Sequence, residues 1–352
     1  MKKIYFILYA MAVASLFSAC SDHLENNQDE DRRIQVRAGV SELQVSARNV
    51  VKADPFLGDF PTEVNELQTA IWFSTESGVF KHSPDTDKDT HIPIRTTVHF
   101  DNDGWKYPVQ YKNDDLRYPS NGSSIYCVGL YPIDHKTDAT RQWQLNEACT
   151  KAFRNINGED DLMFAKQIEG RWGQPFPVMQ FKHLQTWIKI CICATSRDAI
   201  DVWGKIKKIT IGSNTLLTIT NLVNGTATYT DPGTFIAMEN NATNLGITIA
   251  EVGNLFCSPP YLTTMIEVGG EQKTVYGYQL TIETEKQGSH EVFVPIRDVD
   301  TDTYAETWVT EPMSSIGKLY NLCLYFHEFG VVDGICILKS WDDQNENLYP
   351  NS

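Results

Sequence analysis

Polar and apolar residues alternate along this chain with a period of two, and that alternation most narrows the folds open to it. In residues 34–40, Ile34, Val36, Ala38 and Val40 interleave with Gln35, Arg37 and Gly39. The same pattern returns around Ile92, Ile94, Val98 and Phe100, around Ile188, Ile190 and Ile192, around Ile206, Ile209 and Ile211, and around Tyr278, Leu280 and Ile282. A strand sends successive side chains to opposite faces, so such runs predict half-buried strands rather than helices. Turn signals separate them: Asn102-Asp103-Gly104, Ser120-Asn121-Gly122, Asn224-Gly225, Asp231-Pro232-Gly233 and Gly269-Gly270. Helical signal is thin, with 140–153 and 197–204 each able to hold a short helix. Many short strands with frequent turns predict β-sandwich domains, and 352 residues suit two of them.

A hydrophobic fraction of 41% supplies a core, which excludes a wholly disordered chain. The 45 acidic residues exceed the 30 basic ones, giving a formal charge of −15. That charge opposes an unaided nucleic-acid or anionic-membrane surface. Eight cysteines over this length are too sparse for a disulfide framework.

The amino terminus carries the sharpest local signal. Lys2 and Lys3 precede an apolar run from Ile4 to Phe17. At about 1.5 Å per residue the run spans about 21 Å, short of the roughly 30 Å hydrocarbon core, so it predicts a secretory signal rather than an anchor helix. It ends in Leu16-Phe17-Ser18-Ala19-Cys20, which resembles a bacterial lipobox and makes Cys20 the expected lipidation site and mature N-terminus. The alternative is an ordinary signal peptide with an incidental cysteine. Residues 21–33 are polar and acidic and read as a flexible tether.

The search for catalytic chemistry is mostly negative. The chain has no Gly-x-Gly-x-x-Gly, no Walker-type phosphate loop and no Gly-x-Ser-x-Gly elbow, and neither His290-Glu291 nor His327-Glu328 has the second histidine of a zincin helix. Cys191 and Cys193 would share one face of a strand, but no second pair accompanies them, so small packing residues are expected rather than a metal site. Asp298, Asp300 and Asp302 resemble a calcium loop in spacing, yet Thr303 replaces the glycine and Val309 the closing glutamate, which favours a solvated turn. Asp160 and Asp161 are adjacent and should face opposite ways, and His183 lies in a strand-like run with a structural role. Trp105, Trp143, Trp172 and Trp203 suit sandwich cores better than sugar stacking. Neither enzyme nor cofactor nor metal is expected.

A series of ordered motifs resembles the Bacteroidales fimbrillin family, the type V pilins and their minor subunits. Residues 125–132, ending in Tyr131-Pro132, resemble the family's aromatic strand. Asp161-Leu162-Met163-Phe164-Ala165 resembles its Asp-x-Met-x-Ala segment, and Phe181-Lys182-His183 its Phe-x-His strand. Gly317-Lys318-Leu319-Tyr320 and the later Trp341 are similar to its closing strand and terminal tryptophan. The acidic tether resembles a Bacteroidales surface-export signal, with a plain solvated linker as the alternative. The chain departs from the family in its strand cysteines Cys127, Cys191, Cys193 and Cys336, and in the extension 342–352.

The resemblance implies two transthyretin-like β-sandwich domains behind a lipoprotein signal peptide. Residues 1–19 form the signal peptide, 20–48 the lipidated tether with a removable first strand, 49–180 the N-terminal sandwich and 181–352 the C-terminal one. It further implies a surface-exposed outer-membrane lipoprotein, anchored through the lipid on Cys20, that enters a fimbrium as a structural or adhesive subunit. An Arg-specific protease would remove the leader with the first strand, and other fimbrial subunits would then join by donor-strand exchange. Host or bacterial surface ligands are further possible partners; nucleic acid is not. Among Arg32, Arg33, Arg37 and Arg48, the last follows two alternating stretches and lies among small polar residues, so cleavage is expected between Arg48 and Asn49. The contrasting class is a surface glycan-binding lipoprotein of the same architecture.

Overall fold

The computed structural model describes residues 34, 36–40, 67–80, 95–100, 107–108, 117–132, 138–299 and 305–339. Among them the strands are, in chain order, β1 (Arg37–Val40), β2 (Leu67–Ser74), β3 (Arg95–Phe100), β4 (Tyr107–Pro108), β5 (Ile125–Tyr131), β6 (Gln144–Leu145), β7 (Ala152–Asn155), β8 (Met163–Gly170), β9 (Met179–His183) and β10 (Thr186–Ala194). There follow β11 (Lys205–Asn221), β12 (Thr226–Asn244), β13 (Ala250–Cys257), β14 (Leu262–Val268), β15 (Glu271–Thr284), β16 (Ser289–Val299), β17 (Glu306–Trp308), β18 (Leu319–Phe326) and β19 (Val332–Lys339). The protein is all-β, as the alternation predicts.

Seven strands form one sheet in the order β3-β2-β5-β8-β9-β1-β4, and twelve form a second around the path β13-β10-β18-β19-β16-β15-β11-β7-β6. The second sheet turns a corner along β16. Its first part, through Pro295, pairs with β15, whereas Ile296 and Arg297 pair with β19. The two arms fold over a common core that takes Ile188, Ile190 and Ile192 from β10 and Ile206, Ile209 and Ile211 from β11.

The middle of the first sheet, around β2, β5 and the start of β8, is buried on both faces. Ala70, Trp72, Val128, Leu130 and Phe164 enter that large core. Ile71, Phe73, Ile125, Cys127, Met163 and Ala165 line a second, smaller one. Two buried faces explain why β5 reads as a nearly continuous apolar run. The chain also passes back and forth between the sheets. β6 and β7, which lie in sequence between β5 and β8, belong to the second sheet, where β7 pairs with β11. Position 180/181 falls within β9, whose residues 181–183 pair in the first sheet, and the changeover to the second comes between His183 and Thr186.

Among the described residues one α-helix, α1 (Arg197–Trp203), forms, where expected, with Ser196 Oγ accepting from Ala199 N at 3.1 Å. The helix expected over 140–153 does not form. A single 3₁₀ turn (Ala139–Arg141) is followed by β6 and a tight turn in which Asn146 Oδ1 accepts from Thr150 N and Lys151 N, both at 2.8 Å. That side chain satisfies the backbone donors a helix would have needed, and Cys149 turns to φ 56°. Asp231-Pro232-Gly233 is likewise not a reversal. It sits inside β12, with Asp231 at φ 60° and Pro232 on a strand that, among the described residues, pairs with β11 alone, where a missing N–H is tolerated.

Candidate functional site

β9 presents Met179, Phe181 and His183 to one face and exposes Gln180 and Lys182 on the other. Beside it, β1 runs parallel, with Ala38 opposite Met179, Gly39 opposite Gln180 and Val40 opposite Phe181. On its far side β1 meets β4 at two positions, Arg37–Pro108 and Ala38–Tyr107. Just ahead of β1, Ile34 and Val36 are 2% and 0% exposed. They share the smaller core with Ile71, Phe73, Ile125, Cys127, Met179 and Phe181. The amino-terminal segment therefore occupies an apolar groove along β9, held by a short ladder and two buried side chains.

Two glycines make room in this groove. A Cβ on Gly129 would stand 2.4 Å from Phe181 Cζ and 2.6 Å from Met179 Sδ, so β9 can sink its side chains here only because β5 offers bare backbone. A Cβ on Gly170 would stand 2.7 Å from Tyr118 Oη and 2.8 Å from Phe176 Cγ. Tyr118 Oη accepts from Phe176 N at 3.1 Å, and the Tyr118 and Phe176 rings lie 5.7 Å apart. Burial pushes the Tyr118 hydroxyl up to about 12 and the Cys127 thiol well above its ordinary value. Both stay neutral at physiological pH, so the groove suits an uncharged, extended segment.

The groove ends in a polar cluster where the two sheets meet. Asp161 receives His183 Nδ1 at 2.8 Å, and its neighbour Asp160 turns the other way, to Arg154 Nη2 at 2.7 Å and to Arg141. The adjacent carboxylates thus take partners on different elements: Asp160 reaches out from a bend, whose Asn157 Oδ1 accepts from Asp160 N at 2.9 Å, rather than from extended backbone, and Asp161 takes its partner from β9. Burial works to lower the His183 pKa, but the Asp161 carboxylate and its hydrogen bond together outweigh that and hold it above the ordinary value. Desolvation lowers Arg154, against the opposing pull of Asp160. Pro132 O accepts from Trp143 Nε1 and Arg154 Nη1, each at 3.2 Å. The Tyr131-Pro132, Asp161 and His183 motifs, separate in sequence, so converge at one junction. Gln185 extends it: its Oε1 accepts from Leu162 N at 2.6 Å, and its Nε2 donates to Phe256 O at 3.4 Å. Arg154, Arg141 and Gln185 carry no sequence signal of this role beyond an arginine set within an alternating strand.

The remaining sequence candidates are dispersed. Cys20, Arg48 and Asn49 lie outside the described residues, as do Trp105, Asp300 and Asp302. Asp298 is on β16, paired with Lys318 Nζ at 2.7 Å and accepting from Tyr320 Oη at 2.6 Å. Trp143 and Trp203 are core residues, whereas Trp172 is 40% exposed. Cys191 and Cys193 are buried opposite the core-facing Ile190 and Ile192. Among the described residues, no group of three or more His, Cys, Asp and Glu is placed to hold a metal.

No protein-family model matches the chain, and no curated protein matches it. Among solved structures it is similar to a candidate cell adhesion protein from Bacteroides uniformis, at 14% identity over 88% of this chain and 98% of that one, with a TM-score of 0.46. A candidate cell adhesion protein from Bacteroides ovatus matches at 13% identity over 88% and 96%, also with a TM-score of 0.46. The tip fimbrial protein Mfa3 from Porphyromonas gingivalis, in a C-terminally truncated form, matches at 10% identity over 78% and 94%, with a TM-score of 0.35.

Proposed function

We propose that the chain is a cell-surface fimbrial subunit, structural or adhesive, exported as a lipoprotein through Cys20 to the outer membrane. On this reading an Arg-specific protease cuts between Arg48 and Asn49, and the groove along β9 then accepts a strand from another subunit. The observation that carries it is the tenancy of the amino-terminal segment. Ile34 and Val36 complete a core that the rest of the first sheet leaves open, yet β1 is joined to β9 at three positions and to β4 at two. A cut after Arg48 carries away both side chains and β1 together. What remains is an apolar cleft beside a free β9 edge, which an extended segment of alternating apolar residues can fill. The leader, the acidic tether and the fimbrillin-like motifs support the same reading. The glycan-binding alternative has one exposed tryptophan, Trp172, among the described residues weighed for it.

The test is to treat the purified full chain and its Arg48→Ala variant with a trypsin-like protease and follow mass and assembly. The wild type is expected to lose residues up to Arg48 and polymerise, while the variant stays monomeric. Equal assembly of both refutes cleavage-driven exchange at Arg48.

A further inference from the structure

Three thiols that take no part in the groove stand together on the outer face of the second sheet. On β10, Ile190 and Ile192 point into the core, which turns Cys191 and Cys193 outward. On the neighbouring β18, Leu322 and Leu324 point into the core, which turns Cys323 outward as well. The two strands run parallel and in register, so Cys323 lies directly opposite Cys191, while Tyr325 lies opposite Cys193. Register neighbours in a sheet have Cα atoms about 4.8 Å apart, within the roughly 4.4–6.8 Å that a disulfide spans. Cys191 and Cys193, by contrast, are two positions apart on one strand, about 6.6 Å, near the limit of that span. The ladder on the other side of β10 breaks at this very residue: Ile190 pairs with Gly253 but Cys191 with Glu251, skipping Val252. The one-residue irregularity thus falls beside Cys191, on the edge of β10 away from β18.

We infer that Cys191 and Cys323 are joined by a cross-strand disulfide when the chain folds in the presence of a small-molecule or protein disulfide, and that Cys193 stays a thiol. The Cys191 thiolate attacks the oxidant's disulfide and releases one of its sulfurs as a thiol. The Cys323 thiolate then attacks the mixed disulfide and releases the second. Both protons pass to the departing sulfurs, so two protein thiols are oxidised and one disulfide is reduced to two thiols. In the reduced form that the structure shows, Cys191 and Cys323 are 6% and 5% exposed. Attack on an external oxidant needs access, so the bond closes during folding rather than after it. It ties together the strand that enters the second sheet and one that lies 132 positions later (323 − 191).

The test is to unfold and reduce the full chain, refold it with glutathione disulfide or with reduced glutathione alone, block free thiols and map the peptides. The expected product of the oxidising arm is two hydrogens lighter, with Cys191 and Cys323 in one linked peptide. Cys193→Ser should keep that link. Refolding is monitored by circular dichroism, so the wild-type map decides the matter even if a Cys323→Ser chain folds poorly. Folded wild type with every cysteine alkylated, or with a link that uses Cys193 or leaves out Cys191–Cys323, overturns the inference.

Discussion

Replacing Ile34 with alanine tests how the amino-terminal segment is held. Ordering residues 34–40 costs about 7–14 kcal/mol in backbone entropy at about 1–2 kcal/mol per residue. Burying Ile34 and Val36 contributes about 3–6 kcal/mol. The five paired positions of β1, three on β9 and two on β4, contribute about 0.5–1.5 kcal/mol each, or about 2.5–7.5 kcal/mol together. The opposing totals meet to within a few kcal/mol, so the segment should open on its own while the large core stays folded. Ile→Ala at a buried site removes about 2–5 kcal/mol, enough to undock it. Native-state hydrogen exchange read by mass spectrometry should show β1 amides losing protection about thirtyfold or more in Ile34→Ala, while β10 and β18 amides keep theirs. The denaturation midpoint of the main transition should hardly move. If β1 amides in the wild type are as protected as those of β10, or if Ile34→Ala lowers global stability by the full amount in one cooperative step, the groove is a sealed core and the reasoning fails.

Gly129→Ala sets a methyl against Phe181 and Met179 and should cost about 1–3 kcal/mol in urea denaturation; a neutral result would mean that β9 sits less deeply than described. Because the folded-state pKa of His183 lies above its unfolded value, the stability gained from its pair with Asp161 is full below about pH 6.5 and fades as pH rises through the folded value. Denaturation of wild type and His183→Asn between pH 5.5 and 8.5, with wild type converging on the variant as pH rises, checks that sign. Asp160→Asn strips the buried Arg154 of its counter-charge and should cost about 3–5 kcal/mol, whereas Glu239→Gln, at the exposed Lys208 pair, should leave the denaturation midpoint nearly unchanged. Thiol alkylation of the native, reduced chain should reach Cys149 first, since it is half-buried in a turn, and should reach Cys127, Cys257 and Cys336, whose thiols burial pushes up, only on unfolding.

What could be read from sequence, and what could not, divides along a physical line. β10 is legible because one of its faces meets the core and the other does not, so Ile188, Ile190 and Ile192 stand out by period alone. α1 is legible from its Ser196 cap. β5 is legible as a strand, but not as the middle of a sheet covered on both sides, because a continuous apolar run is silent about what covers it. Pairing is harder still. Nothing in the period of 152–155 reveals that β7 joins β11 rather than β5 or β8, since partner choice depends on residues far along the chain. Asp160 and Asp161 are legible as a pair that cannot act together, but the bend that carries Asp160 and the partners Arg154 and His183 are not. The groove itself was foreshadowed by the alternation of 34–40, while its depth depends on Gly129, a residue whose meaning lies in the side chains of another strand.

The back-and-forth course of the chain between the sheets bears on how it is made. Synthesised from its amino terminus, the chain presents β1 before β9, and β7 before β11. Neither sheet can close until residues far downstream have appeared. When β8 and β9 have appeared, β7 has β6 beside it but still lacks β11, and its Arg154 is the residue that in the finished fold binds Asp160. The hairpin of β11 and β12 comes later and brings Leu222, whose carbonyl accepts from Gln167 N at 3.2 Å on β8. The amino-terminal half is thus not a module that can mature, be exchanged or be transplanted alone. Chains arrested anywhere short of Asn221 leave β7 without β11 and expose unpaired edges.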